Sequence, residues 1–346
     1  MTHPRRRLRS ALLLALVGVT LTSLATAGGA AARIDAKKAT YNWTYMSIVP
    51  PVAKGSTVGN FHKAFAAEVA SRTNGELVIT VKSPGELPYS PAQTLSTVGA
   101  NRVQIGDGAA FVAGESKAAA LTMMPFLIST QKQFSASMKI MRPSLQADFG
   151  RYGTELLYHY MWPLQVVWGK GNAPKSLADF KGLKVRTSSA EQAYLFQKLG
   201  ANPVTLTTAE VAPSLQRGVV TGVATAAYNA LPLGWGQLVD WAYLQPINIV
   251  PGFVVVNKQA LAQLPPNIRT TLRQVAAKWQ AKLLTQIPRA EGKYREGMAA
   301  QGVRLINSTA ADQRRGVGIM KPYWSTWAKE NNMTTQLSAV RRLLGR

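Results

Sequence analysis

Asp179-Phe180-Lys181-Gly182-Leu183-Lys184-Val185-Arg186-Thr187 is the run from which the fold can be read. Leu177 to Phe180 reads as a short helical turn, and Leu183 to Arg186 as a strand. A helix is predicted over Ala190–Leu199, stopped by Gly200, and another over Ala209–Gln216, stopped by Gly218. Glycine just past a helical pattern is the usual left-handed stop. Val219 to Thr225 then reads as a strand of small residues. Strand, helix, helix and strand, each with its own stop signal, describe an α/β module in which helices connect the strands of one sheet.

A second module of the same kind lies upstream. Asn42 to Ile48 alternates aromatic and polar residues as a first strand does, and Pro50-Pro51 ends it. From Val58 the apolar positions Val58, Phe61, Phe65 and Val69 recur at helical spacing, up to Asn74-Gly75. Leu77 to Val81 is β-rich and ends before Pro84-Gly85. Pro91 opens a helix through Leu95 and Val98, and Val103 to Ile105 is a short strand. Leu156–His159 and Gln165–Trp168 read as strands, as does Val254–Val256. Ile268, Leu272, Val275, Trp279, Leu283 and Ile287 mark one long helix, with a kink or break expected at Pro288. The expectation is two lobes of similar α/β design.

Composition narrows the function. The chain has 346 residues, 47% of them hydrophobic, which suits globular domains with a large core. Cysteine is absent, so a disulfide scaffold, a thiolate metal site and a cysteine nucleophile are excluded. His3, His62 and His159 are the only histidines. The ratio of 40 Lys+Arg to 16 Asp+Glu gives a net charge of +24, a field that draws anions. At the N-terminus, Arg5-Arg6-Arg7 and Arg9 precede an apolar stretch from Ala11 to Leu24, followed by small residues. This is the pattern of a signal peptide over residues 1–27, with cleavage as late as residue 32. The stretch is too short to span a bilayer comfortably. Arg5-Arg6-Arg7-Leu8 also loosely matches a twin-arginine signal. Removal of residues 1–27 takes four arginines and no acid, leaving +20, and puts the rest of the chain in the periplasm.

The run from Asp179 to Thr187, followed by Leu199-Gly200-Ala201-Asn202-Pro203-Val204, Glu210-Val211 and Leu215-Gln216-Arg217-Gly218-Val219-Val220, strongly resembles one family. It is the extracytoplasmic solute-binding subunit of tripartite ATP-independent periplasmic (TRAP) transporters, C4-dicarboxylate-binding (DctP) type. Thr73-Asn74-Gly75, Gly85-Glu86-Leu87, Pro125-Phe126-Leu127, Trp162-Pro163-Leu164-Gln165 and Val256-Asn257-Lys258 add to the match, which covers roughly Tyr41 to Ala300. The resemblance implies a two-lobed periplasmic binding protein of class II-like α/β architecture, with hinge strands and a long bracing helix. Its lobes would comprise residues 40–164 plus 251–290, and 165–250 plus 291–346. It implies capture of an organic acid for a permease with small and large membrane subunits, driven by an ion gradient. Catalysis, cofactor and metal are not implied, and a monomer is expected.

The same resemblance makes Arg186 the carboxylate-binding arginine. Its planar guanidinium offers two parallel hydrogen bonds that match a carboxylate. Gln165 stands near where some members carry a second arginine, and hydrogen-bonds without adding charge. Trp162 and Trp168 are candidate pocket walls, and Thr225, Tyr228 and Asn229 candidate contacts. Some members have an asparagine at the position of Thr225, and many an acid at that of Thr221. Tyr89 and the loop Gly108-Ala109-Ala110-Phe111 are candidates for closing over the ligand, and Phe253 for lining the hinge.

Other classes fit less well. His62 and His159 have no acid or serine at a catalytic motif spacing, and Gly106-Asp107-Gly108 alone is no dinucleotide fingerprint. The basic residues form no dense tract after the leader, against a nucleic-acid binder. The alternative is an ABC-type or other two-lobed extracytoplasmic binding protein; the dense run Asp179–Val220 favours the TRAP type.

Overall fold

Strand β1 (Tyr41–Met46) inserts Trp43 and Tyr45 into the core, as its alternation predicts. The computed structural model describes residues 39–53 and 56–345, so the leader lies outside the described residues. Helix α1 (Val58–Arg72) buries Val58, Phe65 and Val69. It ends where Asn74 and Gly75 turn left-handed, at φ 50 and 80, and Gly75 N–H donates to the Ala70 carbonyl at 2.8 Å. Strand β2 (Leu77–Lys82), helix α2 (Thr94–Gly99) and strand β3 (Ile105–Asp107) complete the first run. β1 pairs parallel with both β2 and β3, as crossover helices require. β3 lies two residues later than the sequence suggests. A side chain at Gly106 would come within 2.8 Å of Val98 on α2, so the strand passes α2 at a glycine.

Helices α3 (Lys117–Thr122) and α4 (Gln131–Arg151) lead to β4 (Thr154–Trp162). The chain then crosses to a second sheet. This contains β5 (Val166–Gly169), β6 (Lys184–Thr187), β7 (Asn202–Thr205), β8 (Gly222–Thr225) and β9 (Trp241–Tyr243). Between them lie α5 (Ala190–Lys198), α6 (Thr208–Gln216) and the single turn α7 (Ala227–Ala230). The Leu177–Phe180 turn forms as expected, capped by Ser176 and Asp179. β7 was not legible because Pro203 interrupts it. It survives as the edge strand, beside β6 alone, where a missing N–H costs no ladder bond.

The chain returns through β10 (Val250–Asn257), followed by α8 (Lys258–Gln263) and α9 (Pro266–Ala300). Strand order is β2-β1-β3-β10-β4 in the first sheet. In the second it is β11-β9-β5-β8-β6-β7, where β11 is Arg304–Ile306. α9 does not stop at Pro288. It runs for 35 residues, because buried Leu283 and Ile287 before the proline and Glu291 after it fix the helix on both sides. Its first half packs on β4 and α1, where Trp279 Nε1 donates to Glu68 at 3.0 Å, and its second half packs on α7. Two further helices, α10 (Ala310–Glu330) and α11 (Thr334–Leu344), follow. Of the 291–346 tract, β11 joins the second sheet, whereas α11 packs against α4 beside the first. No helix among the described residues is long and apolar enough to cross a membrane.

Candidate ligand-binding site

Besides the long passage through α9 to β11, two short segments carry the chain between the sheets, and they hydrogen-bond to each other. Gln165 N–H donates to the Asn248 carbonyl, and Ile247 N–H to the Gln165 carbonyl, both at 2.9 Å. Beside this pair opens a cleft of about 360 Å³. Ile48, the Ala109–Phe111 loop and Trp162 line it from the first sheet; Arg186, Ser188, Thr208, Thr225 and Asn229 line it from the second, and Gln165 sits at the crossing.

Arg186 is 3% exposed, inside β6. Its Nε donates to the Leu206 carbonyl at 2.9 Å and Nη1 reaches the Ala224 carbonyl at 3.5 Å. No carboxylate of the described residues forms an ion pair with it. Burial lowers its pKa to about 10, with Glu210 pulling the other way, so it stays cationic at neutral pH. A buried charge held only by neutral carbonyls is costly, and such charges are normally paired. The guanidinium therefore places a buried positive charge without an acidic partner at the cleft wall.

Around it the donors and acceptors are neutral. Asn229 Nδ2 leans on Thr225 Oγ1 at 3.5 Å, and its Oδ1 has no partner. Gln165 Nε2 donates to the Pro163 carbonyl at 2.6 Å. Trp162 forms an aromatic wall, edge-on to Tyr228 with ring centres 5.9 Å apart.

Trp168, Tyr228 and Phe253 are not on the cleft surface. Trp168 is fully buried behind β8, where Nε1 donates to the Thr225 carbonyl at 3.0 Å. Tyr228 is wedged between Trp162 and Tyr294. Phe253 packs edge-on against Phe149 within the first core, and its carbonyl accepts from Gly108 N–H at 3.3 Å. Tyr89 lines a separate chamber that meets the cleft at Ile48 and Thr208.

Three supports escaped the sequence reading because their partners are distant in the chain. Asp107 is fully buried and accepts from Ala109 N–H at 3.1 Å and from the Tyr160 hydroxyl at 2.5 Å. It thereby holds Ala109, whose φ of 40 is unusual for a side-chain-bearing residue, at the cleft wall. His62 stands 3.3 Å from Asp107 and 2.8 Å from Ser47. That set resembles a hydrolase triad, but Ser47 Oγ gives its proton to the Val49 carbonyl, so the group is a buried brace. Glu291 on α9 accepts from Ala227 N–H at 3.2 Å and Tyr228 N–H at 2.8 Å, and Arg295 Nε donates to it at 2.8 Å. Ser188 and Gln192 connect through Asn248 to the Met123 carbonyl, tying β6 to the crossing and to the first-sheet side. Among the described residues no group of His, Asp or Glu is arranged to hold a metal ion.

Two α/β sheets joined by paired crossings, with an unpaired cation buried in the cleft beside them, define a two-lobed solute-binding protein. The chain belongs to the bacterial extracellular solute-binding protein family 7, whose pattern it matches over residues 49–331. It is 25% identical over 253 residues to the 2,3-diketo-L-gulonate-binding periplasmic protein YiaO of Escherichia coli K12, covering 70% of this chain and 75% of that one. The solved structure of DctP7, a Bordetella pertussis extracytoplasmic solute receptor binding pyroglutamic acid, superposes with a TM-score of 0.80. It is 25% identical, over 87% of this chain and 99% of that one. A TRAP solute-binding protein from Chromohalobacter salexigens with bound D-glucuronate shares the fold, with a TM-score of 0.79 at 17% identity over 87% and 99% of the two chains.

Proposed function

We propose that this chain captures a small organic acid in the periplasm, after loss of its leader, and delivers it as a monomer to the small and large membrane subunits of a TRAP permease. Arg186 supports this most: it is a buried guanidinium with no acidic partner, and a ligand carboxylate would compensate it with two charge-assisted bonds. Gln165, Thr225 and Asn229 would orient the rest of the acid, and Trp162 would cover its apolar side. That relatives bind pyroglutamate, glucuronate and a diketogulonate, all acids, supports the same reading. The lobes that close on the acid are residues 40–164 with 251–290, and 165–250 with 291–333. The packing of α11 on α4 speaks for giving that last helix to the first lobe.

Calorimetry against a panel of organic acids tests this. Binding on the order of −8 kcal/mol or better is expected for the right acid, and binding of neutral sugars or peptides alone overturns the proposal. Arg186→Lys keeps the charge and loses the fork, and should weaken binding about ten- to a hundredfold, roughly 1.5–3 kcal/mol. Arg186→Ala should cost more, because the ligand carboxylate is left unpaired. Arg217, exposed at the end of α6, is the control, and Arg217→Ala should bind like the parent.

A further inference from the structure

Ile48 and Thr208 line the cleft at Arg186. These two residues also border a second chamber of about 510 Å³, larger than the first. On the first-sheet side its walls are Met46 and the loop carrying Pro84, Leu87, Tyr89 and Pro91. On the other side lies the first turn of α6, at Thr207, Thr208 and Ala209. Leu87 and Tyr89 are half-buried and packed against the core, so the apolar wall is built into the fold.

The chamber's chemistry is one-sided. No charged side chain lines either space except Arg186. Two of the hydroxyls at the second chamber are already committed: Ser47 Oγ to the Val49 carbonyl at 2.9 Å, and Thr207 Oγ1 to Glu210 at 2.6 Å. A second carboxylate would find no cation among the lining residues, and ligand hydroxyls would be left with the hydroxyls of Tyr89 and Thr208. An apolar group would find a surface that water covers poorly.

We propose that the acid recognised here has a single carboxylate and an apolar tail, with the head on Arg186 and an alkyl or aryl chain passing Ile48 and Thr208 into the chamber of Leu87 and Tyr89. This rests on the reading of Arg186 as the carboxylate anchor. It separates this chain from a dicarboxylate or sugar-acid receptor by the one feature a second polar end would need and does not have. The specificity comes from the penalty on charged or hydroxylated tails as much as from the gain on apolar ones.

The experiment is calorimetry on the mature chain with propanoate, hexanoate, 3-phenylpropanoate and succinate. Each methylene seated in the chamber should tighten binding roughly fourfold, so hexanoate and 3-phenylpropanoate should bind at least about tenfold tighter than propanoate, and succinate no tighter than propanoate. Ala209→Phe, at an exposed helix position on the chamber wall, should fill the space and bring the ratio of tailed to short acid close to one. That ratio is measured within one folded protein, so a general loss of stability does not mimic it. Equal affinity for propanoate and 3-phenylpropanoate, or a ratio unchanged by Ala209→Phe, overturns the tail site while leaving carboxylate capture at Arg186 standing. Failure of every carboxylate to bind overturns both.

Discussion

Arg186 and His159 show what burial does to a single ionisable side chain. The arginine's ordinary pKa is so high that burial, which lowers it to about 10, leaves it charged at neutral pH. His159 has no such reserve. It lies in β4 with Nδ1 unpartnered, edge-on to Phe134, and burial, with Arg142 nearby, lowers its pKa to about 4. In the unfolded chain the ordinary value is about 6.5. Between these values the unfolded state takes up the proton and the folded state does not. The contribution of His159 to stability is therefore full above about pH 6.5, falls as pH drops toward 4, and stops falling below it, by up to roughly 3 kcal/mol. Asp312 acts lower. Burial opposes its ionisation, but bonds from Leu177, Thr309 and Tyr243 outweigh burial and hold its pKa at about 2. Urea denaturation at pH 7 and pH 4.5 should show the loss, and His159→Gln should flatten it. An equally steep loss in that variant would refute the assignment.

Among secondary-structure elements, α9 carries the site from behind. Burial raises the pKa of Glu291, the main effect, while Arg295 and the N–H groups of Tyr228 and Ala227 oppose it. Those two N–H groups begin α7, which carries Asn229 to the cleft beside Thr225 just upstream. Glu291→Ala should lower stability by about 2–4 kcal/mol, since it strands two N–H groups and Arg295, and should also weaken acid binding. Glu291→Gln, which keeps an acceptor, should recover most of both in paired denaturation and calorimetry. If the Ala variant lost stability but bound acid like the parent, Glu291 would not position the site. Which elements the sequence revealed follows the same logic. α1, α5, α6 and the strands beside them carry their signal locally, in spacing, caps and glycine stops. β7 and the continuation of α9 contain prolines that local rules read as breaks, and only an edge position or packing on both sides makes them tolerable. α4, with Pro143 inside it, and the C-terminal helices were not anticipated at all. The site divides similarly. Arg186, Gln165, Trp162, Thr225 and Asn229 sit in recognisable motifs and meet at the cleft. Asp107 and Glu291 act on backbone or rings contributed by elements far away in sequence, so no local pattern marks them. Trp168, Tyr228 and Phe253 carried the right chemistry, but they face the packed interior behind the cleft wall.

For the whole molecule, the paired crossings set how the lobes can move. Gln165 and Asn248 are hydrogen-bonded, so bending at one crossing bends the other, and closure should be one concerted rotation. A saturating acid should reduce the radius of gyration in small-angle scattering, and an unchanged profile would count against closure. The placement of β10 has a separate consequence. It lies between β3 and β4, yet is contributed by residues 250–257, after all of the second sheet except β11. β4 has no other neighbour in its sheet. While the polypeptide emerges from the ribosome, the nine residues of β4 therefore wait with both edges open until Asn257 is out. The amino-terminal half cannot seal early as an independent unit. During that interval its bare strand edges are what a holding chaperone would shield.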